Sequence, residues 1–323
     1  MFEKLNEYGK KRKPIFFAID FEAKSWLYED ENTFFKLNNF QNYKEKTVTR
    51  TTNLTNKIYV DFQKYKKAIK RVKKEIKKGN TYLLNLTFET KLEGTINLEE
   101  IFHNSKDPFK LYVKDKFACF SPERFVQIKE SQISTYPMKG TIDASIPHAM
   151  EKILANQKEM SEHTMVVDLL RNDLGIVGKN IKVEKFRYID KIKAGEKELL
   201  QVSSKITANL DESWHNNLGD IIKKMLPAGS ITGTPKRKTV EIIKNIENYK
   251  RGFFTGVFGY YNGESFDSAV MIRFIEKQGK NYVYKSGGGI TCDSDELSEY
   301  EEMKDKVYVT KSVECLLFCS GCH

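Results

Sequence analysis

The chain has 323 residues, 40% of them hydrophobic and 12% aromatic, which supplies a core and excludes wholesale disorder. Its formal net charge is +10, but only nine of its 54 basic residues are Arg, the usual reader of phosphates and base edges. The Lys excess therefore reads as solvated surface with some attraction for an anionic substrate, and no nucleic-acid partner is expected.

No run of 18 apolar residues is present, and the N-terminus MFEKLNEYGKKRKPIFFAID lacks the apolar stretch of a signal peptide. No membrane partner is expected, and the cytoplasm is the expected compartment. Residues 1–55 read as peripheral strands and loops. In 59–78, Phe62, Tyr65, Ile69, Val72 and Ile76 fall at 3,4,3,4 spacing, a single helical stripe closed by Gly79. Residues 81–92 read as a strand, and 111–140 as strands joined by short turns. A long helix is predicted over 148–174, ending at Gly175, with Met165, Val166 and Leu169 as core and His163 at the surface. Another covers 237–247, entered through Thr234-Pro235. Residues 253–286 form a strand meander, and a last helix starts near Asp293, with Glu296 completing a capping box, and runs past Lys306. Strands in runs with helices between them predict an α+β fold, and no linker divides the chain, so 1–323 is expected to be a single domain.

The five cysteines are Cys119, Cys292, Cys315, Cys319 and Cys322, an odd number that does not suggest a disulfide framework. The Cys-containing tail, 312–323, ends in CSGCH. That matches a haem-attachment pattern, but haem attachment requires export. A zinc site from Cys315, Cys319, Cys322 and His323 is the alternative to free thiols, and free thiols are expected.

Candidate chemistry begins with SPERF (121–125) and PMKGT (137–141). A hairpin centred on residue 131 would set Glu123 opposite Lys139, with Cβ atoms about 4.5–5.5 Å apart. The plain reading of such a pair is a cross-strand salt bridge. In SGGGITCDSDELSEYEEMKDKV (286–307), three glycines free the backbone in a turn before a helix, whose amides would suit an anion. Glu299, Glu302 and Lys306 share one helical face, which either faces solvent or holds a hard cation. Glu162 and Asp168 fall on different faces of the long helix. PAGSITGTPK (227–236) is a Gly-rich turn into a helix without P-loop spacing.

In order, PMKGT, DLLRNDLG, GSITGTPK, GVFGY and GGGITCDSDELSEYEE resemble the motifs of the chorismate-utilising enzymes, over about residues 59–310. The resemblance implies a sandwich of large, mostly antiparallel sheets flanked by helices. Lys at the third position of PMKGT is what the aminodeoxychorismate synthases carry, whereas anthranilate synthases usually carry Ala. It implies that Lys139 attacks the chorismate ring at C2 as the C4 hydroxyl leaves, that ammonia then enters at C4, and that Glu123 moves the protons. By the same resemblance, Glu162 and Glu302, with Glu299 nearby, would hold Mg²⁺. Tyr260, Arg273, Lys306 and the backbone of Gly287, Gly288 and Gly289 would grip carboxylates, while Thr141 and Thr232 would line the ring.

Leu83 stands where water-adding relatives carry Lys, and Gln201 where many relatives carry His, so isochorismate formation and pyruvate expulsion are not expected. The N-terminal region is shorter than in longer relatives, which makes tryptophan binding doubtful. Nothing in the chain resembles a glutaminase, so ammonia is expected to come from a separate glutamine amidotransferase subunit. No lyase segment follows, so p-aminobenzoate would need another protein.

Overall fold

The computed structural model describes residues 1–309 except 47, 49, 50, 195 and 196; the tail with Cys315, Cys319, Cys322 and His323 lies outside the described residues. Helix α1 (Phe2–Lys10) leads into β1 (Ile15–Ile19), β2 (Trp26–Tyr28), β3 (Thr33–Leu37), β4 (Phe40–Gln41) and β5 (Asn53–Ile58). Helix α2 (Phe62–Lys77), β6 (Leu83–Thr95) and α3 (Leu98–Asn104) follow. A run of strands comes next: β7 (Phe109–Val113), β8 (Phe117–Ser121), β9 (Arg124–Lys129), β10 (Gln132–Thr135) and β11 (Met138–Asp143). Helices α4 (Ala149–Ala155) and α5 (Gln157–Val177) precede the long β12 (Lys179–Ala194) and β13 (Lys197–Asn209). The chain then forms α6 (Leu218–Met225), β14 (Gly233–Thr234), α7 (Lys236–Ile246), β15 (Val257–Tyr261), β16 (Phe266–Val270), β17 (Phe274–Gln278), β18 (Asn281–Ile290) and α8 (Glu296–Asp305).

These strands make two nine-stranded antiparallel sheets. The first runs β11-β13-β10-β9-β16-β15-β1-β2 with β12 also on β13; the second runs β14-β6-β18-β17-β8-β7-β3-β4 with β5 on β6. The sandwich of large antiparallel sheets that the motifs implied is the observed architecture.

Strand alternation sorts side chains into layers. On β1, Ile15, Phe17 and Ile19 join the core under α2, α5, α6 and α7, while Phe16 and Ala18 face the other way. There they meet Phe35, Phe117, Cys119 and Phe274 of the second sheet, so this cluster is the filling of the sandwich. A third layer, with Ala118, Phe120, Tyr112 and Tyr284, packs against Ile101 and Phe102 of α3. Each buried Phe, Ile or Leu contributes about 1.5–3 kcal/mol relative to exposure. The segment 1–55 is more than peripheral: α1 was not anticipated, and β1 lies between β2 and β15 with all five residues buried.

Local signals explain the helix ends. Asp61 caps α2 by accepting from the Gln63 and Lys64 amides, and Gly79 past its end adopts φ +74°. The long helix predicted over 148–174 is two helices. Asn156 leaves helical geometry (ψ 108°) and caps α5 through Glu159 N, and α5 then runs through Gly175 to Val177. Asp295, not Asp293, caps α8. Among the described residues no helix is long and apolar enough to cross a membrane.

Candidate active site

Lys139 sits on a bulge. On β11, Met138 pairs with Ser203 and Thr141 with Gln201, so one extra residue is accommodated between the two rungs. Gly140 supplies the required backbone, with φ +88°. The bulge aims Lys139 at α5, where its Nζ lies 2.6 Å from Glu162 Oε2. Glu162 is only 5% exposed. Burial draws the Lys139 ammonium toward neutrality. The charge and hydrogen bond of Glu162, with Glu302 and Glu159 beyond, outweigh that and hold it above the usual lysine value.

The expected Glu123–Lys139 pair is not formed. The hairpin exists, with its turn at Glu130 and Ser131 and Gln132 paired to Lys129. Its second strand stops at Thr135, however; β10 already borders β13 on its other side, and after Tyr136-Pro137 the chain keeps to β13 and parts from β9. Glu123 instead accepts a hydrogen bond at its Oε1 from Ser230 Oγ. Burial raises its carboxyl above the usual value, while Ser230 and the charge of Lys306 pull the other way.

The three glycines lie within β18 rather than in a turn, each paired with β6: Gly287 with Thr87, Gly288 with Leu86 and Gly289 with Asn85. The rungs of β17 on β18 reach only to Lys285, so beyond it β6 is the strand bordering β18. A Cβ on Gly287 would stand 2.1 Å from Leu86 O, so this close strand approach requires glycine. A Cβ on Gly288 would instead stand 3.5 Å from Glu299 Oε2, 3.6 Å from Lys306 Nζ and 3.8 Å from Glu302 Oε1. The face of α8 therefore converges on this glycine. Lys306 bonds Glu302 at 2.8 Å and Gly287 O at 2.9 Å, and Glu299 accepts from Ser294 Oγ at 2.8 Å. Acidic and basic side chains thus alternate across the site, from Glu123 to Lys306, Glu302, Lys139 and Glu162.

The donor chemistry of Glu162, Glu299 and Glu302 fits a hard cation such as Mg²⁺, which favours carboxylate oxygens. Among the described residues, no three His, Cys, Asp or Glu side chains close into a ligand set. Two ammonium groups carry the positive charge here, Lys139 on Glu162 and Lys306 on Glu302.

The other predicted residues divide. Thr141 is exposed and stands opposite Gln201 on β13. Arg273 immediately precedes β17, whose first rung joins Phe274 to Lys285; it pairs with Asp107 at 3.2 Å and lies over the Tyr308 ring. Thr232 is fully buried and turns its hydroxyl back onto Ala228 O and Gly229 O, so it does not present that group to a ligand. The described ring contacts of Tyr260 are with Phe35 and Phe40. Leu83 is buried, with its Cδ1 against Gly289. His163 is not at the surface; it is fully buried and shares a 2.6 Å hydrogen bond with Ser204 Oγ. Two participants were missed from sequence, Ser230 and Glu159. The GSIT turn pointed to the right place, but the hydroxyl that meets Glu123 is the first of its two.

Two antiparallel sheets that bring a bulge lysine, a set of carboxylates and a glycine-bearing strand together define the class. Residues 9–312 match the chorismate binding enzyme family, and the chain belongs to it. It is 46% identical over 313 residues to an uncharacterized PabA-like protein of Haemophilus influenzae, covering 95% of each chain. It is 33% identical over 259 residues to aminodeoxychorismate synthase component 1 of Salmonella typhimurium, covering 75% of this chain and 56% of that one. The menaquinone-specific isochorismate synthase MenF of Escherichia coli shares the fold, with a TM-score of 0.75 over 94% of this chain and 79% of that one at 15% identity.

Proposed function

We propose that this chorismate-family enzyme aminates chorismate to 4-amino-4-deoxychorismate, using ammonia from a separate glutaminase subunit. The observation that carries the reading is Lys139, an amine delivered by the bulge into a carboxylate-lined site, on a chain whose relatives include aminodeoxychorismate synthase component 1.

Lys139 would attack C2 of the ring. Attack needs the neutral amine, and burial acts in that direction once the neighbouring carboxylate charge is taken up. Glu162, Glu299 and Glu302 would hold Mg²⁺, which when bound would offset that charge and orient a substrate carboxylate. Glu123, kept toward its protonated form by burial, would give its proton to the departing C4 hydroxyl and later take one from the incoming nitrogen. Lys306 and Arg273 would offer positive charge to the carboxylates of chorismate.

The test is a product assay with purified protein, chorismate, Mg²⁺ and ammonium salt, comparing wild type with Lys139→Ala. Aminodeoxychorismate from wild type, strongly reduced in the variant, is the expected result. Anthranilate from wild type would move the chain to anthranilate synthesis and make Lys139 incidental. Absence of any product despite chorismate binding would favour a regulatory role.

A further inference from the structure

The short turn Gly229–Ile231, which carries Ser230, is fixed from several directions. A Cβ on Gly229 would stand 2.8 Å from Asp173 Oδ2, so the turn lies directly on α5. Asp173 is bonded in turn to Lys236 at 2.7 Å, and the same ammonium donates to Met225 O at 3.0 Å. On the far side of Ser230, Arg251 Nη1 donates to Ile231 O at 3.0 Å and Thr232 Oγ1 to Ala228 O at 2.8 Å. The Ser230 hydroxyl is thus delivered from a rigid frame.

Glu123 is held at its backbone as well. Its N–H donates to Ser121 Oγ at 3.0 Å, and its carbonyl accepts from Val270 N at 3.1 Å. The Ser230 hydroxyl donates to Oε1. A protonated Glu123 that keeps this bond carries its own proton on Oε2.

We infer that Ser230 is the positioning residue of this site, orienting Glu123 so that Oε2 gives and takes the proton. In the reaction proposed above, the proton leaves Oε2 for the C4 oxygen, which departs as water. A proton from the nitrogen that has bonded to C4 then returns to Oε2 as the bond from Lys139 to C2 breaks. The same hydrogen bond favours the carboxylate form and so works against burial. Among the charged groups around Glu123, Lys306 acts in the same sense as Ser230, and Arg124 is engaged by Asp267 through bonds of 2.8 and 3.1 Å.

The inference rests on Glu123 being the general acid, so the experiment has two readouts. In the product assay, Ser230→Ala is expected to lower kcat by about 10- to 100-fold, a part of the roughly 100- to 10,000-fold that general acid–base catalysis contributes, with KM for chorismate nearly unchanged. Its alkaline limb should move to higher pH, because the acid loses a bond that favours ionisation. Ser230→Thr, which restores a hydroxyl, should recover most of the rate. The second readout needs no turnover: the carboxylic-acid infrared band removed by Glu123→Gln is titrated in wild type and Ser230→Ala. A higher pKa in Ser230→Ala supports the positioning role; an unmoved pKa, or a wild-type kcat in Ser230→Ala, overturns it. If wild type yields no amination product, the proposed function fails, and the infrared titration still decides whether Ser230 controls Glu123.

Discussion

Lys139 Nζ and Glu162 Oε2 stand 2.6 Å apart, one on the bulged β11 and the other on α5. The contact ties the edge of the first sheet to the helix packed against it, and it sets the charge state of the amine. In this pairing the carboxylates outweigh burial, and the lysine is held protonated.

Replacing Glu162 by Gln should reverse that balance, because burial then faces fewer negative charges. Labelling of Lys139 by an amine-reactive reagent at pH 8, followed by peptide mass spectrometry, should become faster. Each unit by which the amine pKa falls raises the neutral fraction about tenfold. Unchanged labelling would mean that Glu302 and Glu159 hold the charge without Glu162.

The glycines of β18 make a paired prediction. Gly287→Ala would drive a Cβ to 2.1 Å from the Leu86 carbonyl oxygen, so β18 and β6 must separate and the protein should lose stability or fail to fold. Gly288→Ala meets only side-chain atoms at 3.5 Å or more, so the fold should survive while the added methyl intrudes on Glu299, Glu302 and Lys306. Thermal unfolding of both variants, with turnover of the second, checks this. Equal stability of the two would contradict the strand geometry.

Arg251 and Glu247 form an ion pair at 2.7 Å with both side chains only 2% exposed. Arg251→Met should cost about 3–5 kcal/mol, because it strands a buried carboxylate. Urea unfolding measures the loss. A cost below about 1 kcal/mol would show that the Thr87 amide and hydroxyl, which already donate to Glu247, are sufficient.

His215 makes acid stability testable. Burial, and then the charge of Arg12, lower its pKa to about 4 from an ordinary value near 6.5. The unfolded chain therefore takes up the proton first. Its contribution is complete above the unfolded value, declines as pH falls from about 6.5, and is gone below about 4. At most ~3 kcal/mol is involved. Urea midpoints between pH 7 and 4 should fall less steeply in His215→Phe than in wild type, although that variant starts lower for want of the Tyr261 bond. Parallel slopes would remove His215 from the acid response.

Local patterns were legible where neighbours in sequence decide the outcome. The 3,4 spacing of Phe62, Tyr65, Ile69 and Val72 defines α2 because a single face of it is buried. The turn at Glu130 and Ser131 was legible for the same reason. The partner of Lys139 was not, because past Thr135 the chain stays on β13, some sixty residues later, and parts from its hairpin neighbour β9. His163 was misplaced for a related cause: its helix face is covered by β13, which presents Ser204 to it. The five-residue run IFFAI shows no alternation because both faces of β1 are buried, so periodicity could not tell its central place from a peripheral one.

That same strand constrains how the chain is made. Residues 15–19 leave the ribosome roughly 240 residues ahead of 257–261, their rungs on one side. At ~5–20 residues per second, an apolar strand waits some tens of seconds for its partner. During that interval it is a hydrophobic segment with one edge open, a template for pairing with the wrong chain. The cell that makes this enzyme must shield this strand until residues 257–261 have followed it.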